Sequence, residues 1–120
     1  MTVNHMRFDV VLVPFPFDDL TTTKVRPALC LTNNIEPYQH VVVAFITSKV
    51  SSEPSDTDLV LDCREANFEK SGLKVTSTVR FHRLATVSQR LIRKRLGHIS
   101  AEHELSVKQC LVNLFELKHS

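Results

Sequence analysis

Only two glycines, Gly72 and Gly97, occur in the 120 residues. Their scarcity excludes a P-loop and a dinucleotide fingerprint, both of which use clustered glycines to bring backbone amides against phosphate. No apolar run approaches the ~20 residues that a membrane-spanning helix requires. The opening MTVNHMRFDVV lacks the basic-then-apolar layout of a secretory signal. Cysteine is sparse: Cys30, Cys63 and Cys110 are an odd number without motif spacing, and Cys30 and Cys110 fall in apolar segments that read as core. A reduced, cytoplasmic protein is the expectation. The six histidines form no HExxH pair and have no cysteine pair beside them, so no metal site and no cofactor are expected. No GxSxG nucleophile elbow occurs. The paired carboxylates Asp18-Asp19 sit in a polar loop and read as solvated, which leaves little basis for metal-dependent hydrolysis.

What is present is an ordinary globular composition, 42% hydrophobic and 23% charged, in a length that suits one domain spanning residues 1–120. The net charge of +2 hides an asymmetry. Residues 1–70 carry six Lys/Arg against ten Asp/Glu (−4), and residues 71–120 carry nine against three (+6). Much of the excess is Arg90, Arg93, Lys94 and Arg95. Such a division fits a polyanionic partner, a self-complementary dimer, or simply a solvated basic turn.

The hydropathy pattern predicts short strands followed by one helix. Phe8 to Pro14 is apolar on both faces and reads as a central strand. Phe15 to Lys24 is a long polar loop, of the kind kept for function or mobility. Arg26 to Thr32, His40 to Thr47, Asp58 to Asp62, Val75 to Leu84 and Arg95 to Ile99 read as further strands. Arg64 to Lys70 has room for one helical turn, stopped by Ser71-Gly72. Ser100 reads as a helix N-cap with Glu102 and Glu104 in the first turn, where the helix dipole favours anions. Val107, Leu111 and Leu114 follow helical spacing, and Cys110, Phe115 and Leu117 widen the stripe. The architecture predicted is mainly β, a small partly closed barrel with that amphipathic helix packed on it.

Arg26 is the first candidate for chemistry. It opens a buried strand, and Pro27 holds it extended, so a cation is fixed below a loop where an anion such as phosphate can be bound. In the strand from Val75, alternation places Thr76, Thr78, Arg80 and His82 on one face. Arg80 and His82 then become same-face neighbours, a cation beside an imidazole that titrates near neutrality. Alternatively, this is the solvated face of an antiparallel strand. Thr47-Ser48 closes the third strand with two hydroxyls, which can orient a phosphate oxygen or simply bond nearby backbone.

Several segments together are similar to a known family. VVLVPFPFDDLTTTKVRPALCLTN resembles the N-terminal signature of MazF/PemK-type toxins, in which two strands flank a loop ending in an arginine-proline step. FITSK resembles the hydroxyl-bearing end of their third strand, SGLKVTSTVRFHRLATV their later arginine strand, and RKRLGHISAEHE the lead into their C-terminal helix. The resemblance covers nearly the whole chain in the family's order. It implies an SH3-like barrel that forms a homodimer and cleaves single-stranded RNA without metal. The 2′-hydroxyl attacks, leaving a 2′,3′-cyclic phosphate and a 5′-hydroxyl. Arg26 matches the family's catalytic arginine, Thr47 its catalytic threonine, and Arg80 a second arginine used in some members. His82 falls where those members carry an aspartate, and Phe8-Asp9 stands where the family commonly shows Gly-Asp, a change expected to tighten the start of the first strand. Lys24, Ser48 and Thr78 lie beside these residues and are expected to bind RNA.

Arginine is a poor base, its pKa exceeding ~12, so Arg26 and Arg80 are expected to clamp the phosphate while Thr47 orients it. His82 is then the available titrating group. The loop from Phe15 to Val25 is expected to lie over the site, and the resemblance implies a small acidic antitoxin bound in the same region. Two other functions suit the same barrel: a toxin that binds DNA gyrase and cleaves nothing, and a catalytically silent RNA-binding barrel.

Overall fold

A computed structural model describes residues 4–14 and 24–117. Six strands, β1 (Asp9–Pro14), β2 (Val25–Cys30), β3 (His40–Thr47), β4 (Asp58–Leu61), β5 (Ser77–Ser88) and β6 (Lys94–His98), are followed by one helix, α1 (Ala101–Phe115). The strands form a single sheet in the order β4-β5-β3-β2-β1-β6, with every neighbouring pair antiparallel. The mainly β barrel-like architecture with a C-terminal helix is thus observed as a curled, half-closed sheet. The predicted loop from Phe15 lies almost wholly outside the described residues.

Both faces of the sheet are buried, which explains why β1 and β3 read as continuous β-branched runs. On one face, Val10, Leu29, Ala44, Ile46, Val79 and Phe81 pack with Val107 and Cys110 of α1. On the other, Val11, Val13, Ala28, Val41, Val43 and Phe45 gather where the sheet curls on itself. The alternation of the two sets along β1 and β3 follows the two-residue strand period.

The helix starts as the sequence predicts, with the Ser100 side chain accepting from the His103 amide. Its buried stripe is narrower than predicted. Val107 and Cys110 are buried and Leu111 and Leu114 pack against the core, but Phe115 and Leu117 are more than half exposed. The helix ends after Phe115, with Glu116 in a left-handed conformation, so the helical spacing that linked Leu117 to the stripe is broken there.

Phe8 occupies a left-handed backbone conformation, φ +75°. A glycine adopts this without strain, whereas a Cβ-bearing residue there costs of order 1–3 kcal/mol. The local structure compensates: the Phe8 amide donates to the Cys30 carbonyl at 2.7 Å, the ring joins the core, and the Arg7 guanidinium lies 4.7 Å from the ring centroid. The Phe-Asp departure therefore keeps the backbone turn of a glycine and adds a buried ring.

The two glycines of the chain lock one wall of the molecule. Gly72, φ +75°, caps a short 3-10 turn over Phe68–Ser71, and any Cβ on it would overlap the Leu96 carbonyl. A Cβ on Gly97 would overlap the Lys70 carbonyl and crowd Ser71. Glycine is used here because the 70–73 segment and β6 touch backbone to backbone.

Candidate functional site

β2, β3, β5 and β6 all bring one end to a hollow of about 680 Å3. Residues of both strand parities line it, Phe45 and Thr47 from one face and Leu12, Pro27 and Ile46 from the other, so it lies across the rim of the sheet. Arg26 enters from the start of β2. The β2–β3 register includes Ala28 opposite Phe45. Carried two residues further, this register sets Arg26 level with Thr47, at the open end of the pair. Thr47 is in turn the partner of Thr78 on β5.

The charge of the hollow is one-sided. Arg26, Lys49, Lys74, Arg80, Arg83 and Lys94 line it, and among the described lining residues there is no carboxylate. Ser48 and Ser77 add hydroxyls. Thr47 Oγ1 accepts from the Lys49 amide at 3.1 Å. That bond fixes the side chain through its oxygen and leaves the hydroxyl hydrogen able to donate to a bound oxyanion. The predicted alternative, a hydroxyl bonded to nearby backbone, and the phosphate-orienting role are thus compatible at this residue.

The predicted companions of Arg26 divide. Thr47, Ser48 and Arg80 line the hollow with it. His82 does not: it is exposed and is not among the lining residues, which include Arg83 instead. The cause is an irregularity in β5. Ala44 pairs with Leu84 and Ile46 with Val79, so a two-residue step on β3 faces a five-residue step on β5. Val79 and Phe81 stay in one core cluster, so Arg80 and His82 keep the expected parity, but within the register shift between Val79 and Leu84 it is Arg83 that reaches the hollow. β5 also starts at Ser77 and runs to Ser88, later and longer than the predicted Val75 to Leu84, because its first part pairs with both β4 and β3 and its last part continues along β3. Thr78 is buried at 2% exposure, does not line the hollow, and its Oγ1 has no hydrogen-bond partner among the described residues. Lys24 is exposed and lies outside the lining.

Lys49, Lys74, Arg83 and Lys94 are additions that local patterns missed. Lys94 belonged to the basic run noted in the sequence, but only strand pairing shows which of its members turns inward. Lys94 and Leu96 line the hollow, whereas Arg95 between them bonds Asp9 through Nε at 2.8 Å.

A family profile described as PemK-like, MazF-like toxin of type II toxin-antitoxin system matches residues 6–115. The chain belongs to this toxin family. Its backbone is similar to that of an endoribonuclease solved with its cognate antitoxin from a mycobacterial species, at 14% identity and TM-score 0.72, covering 97% of this chain and 99% of that one. It is likewise similar to the toxin MazF-mt6 of Mycobacterium tuberculosis, at 22% identity and TM-score 0.71, covering 92% and 99%. A MazE-MazF structure from Deinococcus radiodurans aligns at 16% identity and TM-score 0.68, covering 97% of this chain and 100% of the other. At these identities the structural likeness concerns the fold. No curated protein matched the chain.

Other reactive groups are held inert or apart. Burial pushes the Cys30 thiol up to about 12, with Asp9 adding to the effect, and burial also raises Cys110. Both are therefore protonated core residues and poor nucleophiles. Cys63 is exposed and free. Among the described residues no group of three or more His, Cys, Asp or Glu is placed to hold a metal ion, and no helix is long and apolar enough to cross a membrane.

Proposed function

We propose that this chain is a metal-independent, sequence-specific endoribonuclease of a toxin–antitoxin pair. It cleaves single-stranded RNA to a 2′,3′-cyclic phosphate and a 5′-hydroxyl. The observation that carries the reading is the hollow itself: six cationic side chains and no described carboxylate, with an arginine and an anchored threonine level at its mouth. Family membership supports the same reading, as does the likeness to an endoribonuclease solved with its cognate antitoxin.

The chemistry follows from the charges. The 2′-oxygen bonds to phosphorus as the P–O5′ bond breaks, and negative charge accumulates on the non-bridging oxygens. Arg26 and Arg80 stabilise that charge, and the Thr47 hydroxyl donates to one of the oxygens. Donors of this kind contribute about 10²–10³-fold each. The 2′-hydroxyl proton passes to water, and the ammonium of Lys49, next to the Thr47-Ser48 hydroxyls, protonates the leaving 5′-oxygen. His82 lies outside the hollow and receives no proton-transfer role in this scheme. Ser48 binds RNA beside Thr47. A small acidic antitoxin would compete for the same cations, and the active form is a cytoplasmic homodimer.

The test is incubation of a long unstructured RNA with the purified protein in EDTA, followed by mapping of the new 5′-ends. Cutting at a short recurring motif, with 5′-hydroxyl ends, is the expected result. Cutting that EDTA abolishes would refute the metal-independent mechanism. A salt-sensitive shift of RNA without products would identify a silent RNA-binding barrel, and inhibition of gyrase without RNA cutting would identify the other class of toxin.

A further inference from the structure

Only Arg26, Arg80, Thr47 and their immediate neighbours are needed for one scissile phosphate, yet the cationic lining extends well beyond them. Lys94 sits on β6 opposite Leu12 of β1, and Leu12 is opposite Pro27 of β2. β6 is therefore three strand spacings from β3, roughly 14 Å along the sheet at ~4.8 Å per spacing. Lys74 comes from the segment that Gly72 and Gly97 lock against β6. Leu73 and Leu96 line the hollow beside these lysines and pack onto the core, so this wall has a fixed base. Neither lysine forms an ion pair among the described residues.

We propose that Lys74 and Lys94 form a second phosphate subsite, which holds a phosphate flanking the scissile one on the same RNA strand. The proposal rests on the nuclease reading and gives it a substrate requirement: at least two phosphates must enter the hollow together. The glycine lock is what makes the pair a subsite. It fixes the spacing of two flexible side chains by joining their backbones, where solvated lysines elsewhere on the surface have no fixed mutual position.

The test uses 2′-O-methyl RNA of mixed sequence, which the proposed chemistry cannot cleave, in strands with one, two or three internal phosphates. In the wild-type protein the second phosphate should raise affinity about tenfold, the scale of a charge-assisted contact. In Lys74→Gln/Lys94→Gln the same phosphate should add less than about threefold. On a long 2′-O-methyl strand, the slope of log K against log salt should shrink by about 0.7, the value for one lost phosphate contact on a single strand. Lys74→Arg/Lys94→Arg should restore both readouts, and Lys108→Gln, on the helix, should alter neither. A Gln/Gln variant that keeps the second-phosphate gain and the slope overturns the subsite. If wild-type protein cuts RNA and that variant behaves as wild type, the nuclease reading stands and the subsite falls. If the gain is present and no RNA is cut, the subsite stands and the nuclease reading falls.

Discussion

Lys94 and Arg95 are adjacent on β6, and they belong to two electrostatic regions built on opposite principles. Arg95 turns to Asp9, a carboxylate only 4% exposed, which also accepts from the Met6 amide at 2.8 Å. Charge there is matched and closes the start of β1. Lys94 turns to the hollow, where five more cations converge and the described lining holds no carboxylate. Gathering like charges destabilises a fold unless a ligand of opposite sign relieves them, so the first region reads as structure and the second as binding.

The largest expected separation between the regions is catalytic. Arg80→Ala should slow RNA cleavage about 10²–10³-fold in single-turnover kinetics while the melting temperature stays within a few degrees of wild type. A comparable loss of folding stability would make Arg80 a structural residue instead. The converse holds for Asp9→Ala, which removes the acceptor for Met6 and Arg95. Denaturant unfolding should show a loss of about 1–3 kcal/mol, toward the low end because the Arg95 side chain is 45% exposed. Cleavage per folded molecule should remain at the wild-type rate.

A smaller effect is expected at His82, exposed and outside the hollow. His82→Ala should change the cleavage rate less than threefold, and the pH–rate profile should keep its acidic limb. Disappearance of that limb would restore the imidazole to the mechanism.

The smallest effect is expected at His5, near the matched pair. Burial holds its imidazole below the usual 6.5, against an opposing pull from Asp9. The unfolded chain then takes up a proton more readily than the folded one as pH falls below 6.5. Stability is full above that value and declines as pH drops toward the lowered folded value. Thermal melts at pH 7.5 and pH 5 should show this decline in wild type and less of it in His5→Phe.

Much of the mouth of the hollow was readable in the sequence because it depends on local signals. Pro27 marks where β2 opens and exposes Arg26, and β3 runs over His40–Thr47 as its β-branched pattern predicts, ending on the hydroxyl that lines the hollow. The far wall was not readable. Lys74 and Lys94 are twenty residues apart, and their proximity depends on Gly72 and Gly97 meeting opposing backbone, a contact no local pattern encodes. His82 was misplaced for a related reason. Two-residue alternation gives Arg80 and His82 a shared parity, but it does not tell which polar residues reach the hollow where the β3–β5 register shifts between Val79 and Leu84. The glycine expected before Asp9 is replaced by Phe8, yet the backbone keeps the positive φ, so that departure changed packing and left the turn intact.

The most direct test of the contrast between the two regions is one cleavage assay in EDTA that compares Arg26→Ala with Arg95→Ala on the same long RNA, with rates normalised to folded protein. Arg26→Ala should lose at least about a hundredfold in rate, and Arg95→Ala should cut at the wild-type rate per folded molecule. Equal losses in the two variants, or full activity in Arg26→Ala, would contradict the assignment of the cationic hollow as the site of RNA cleavage.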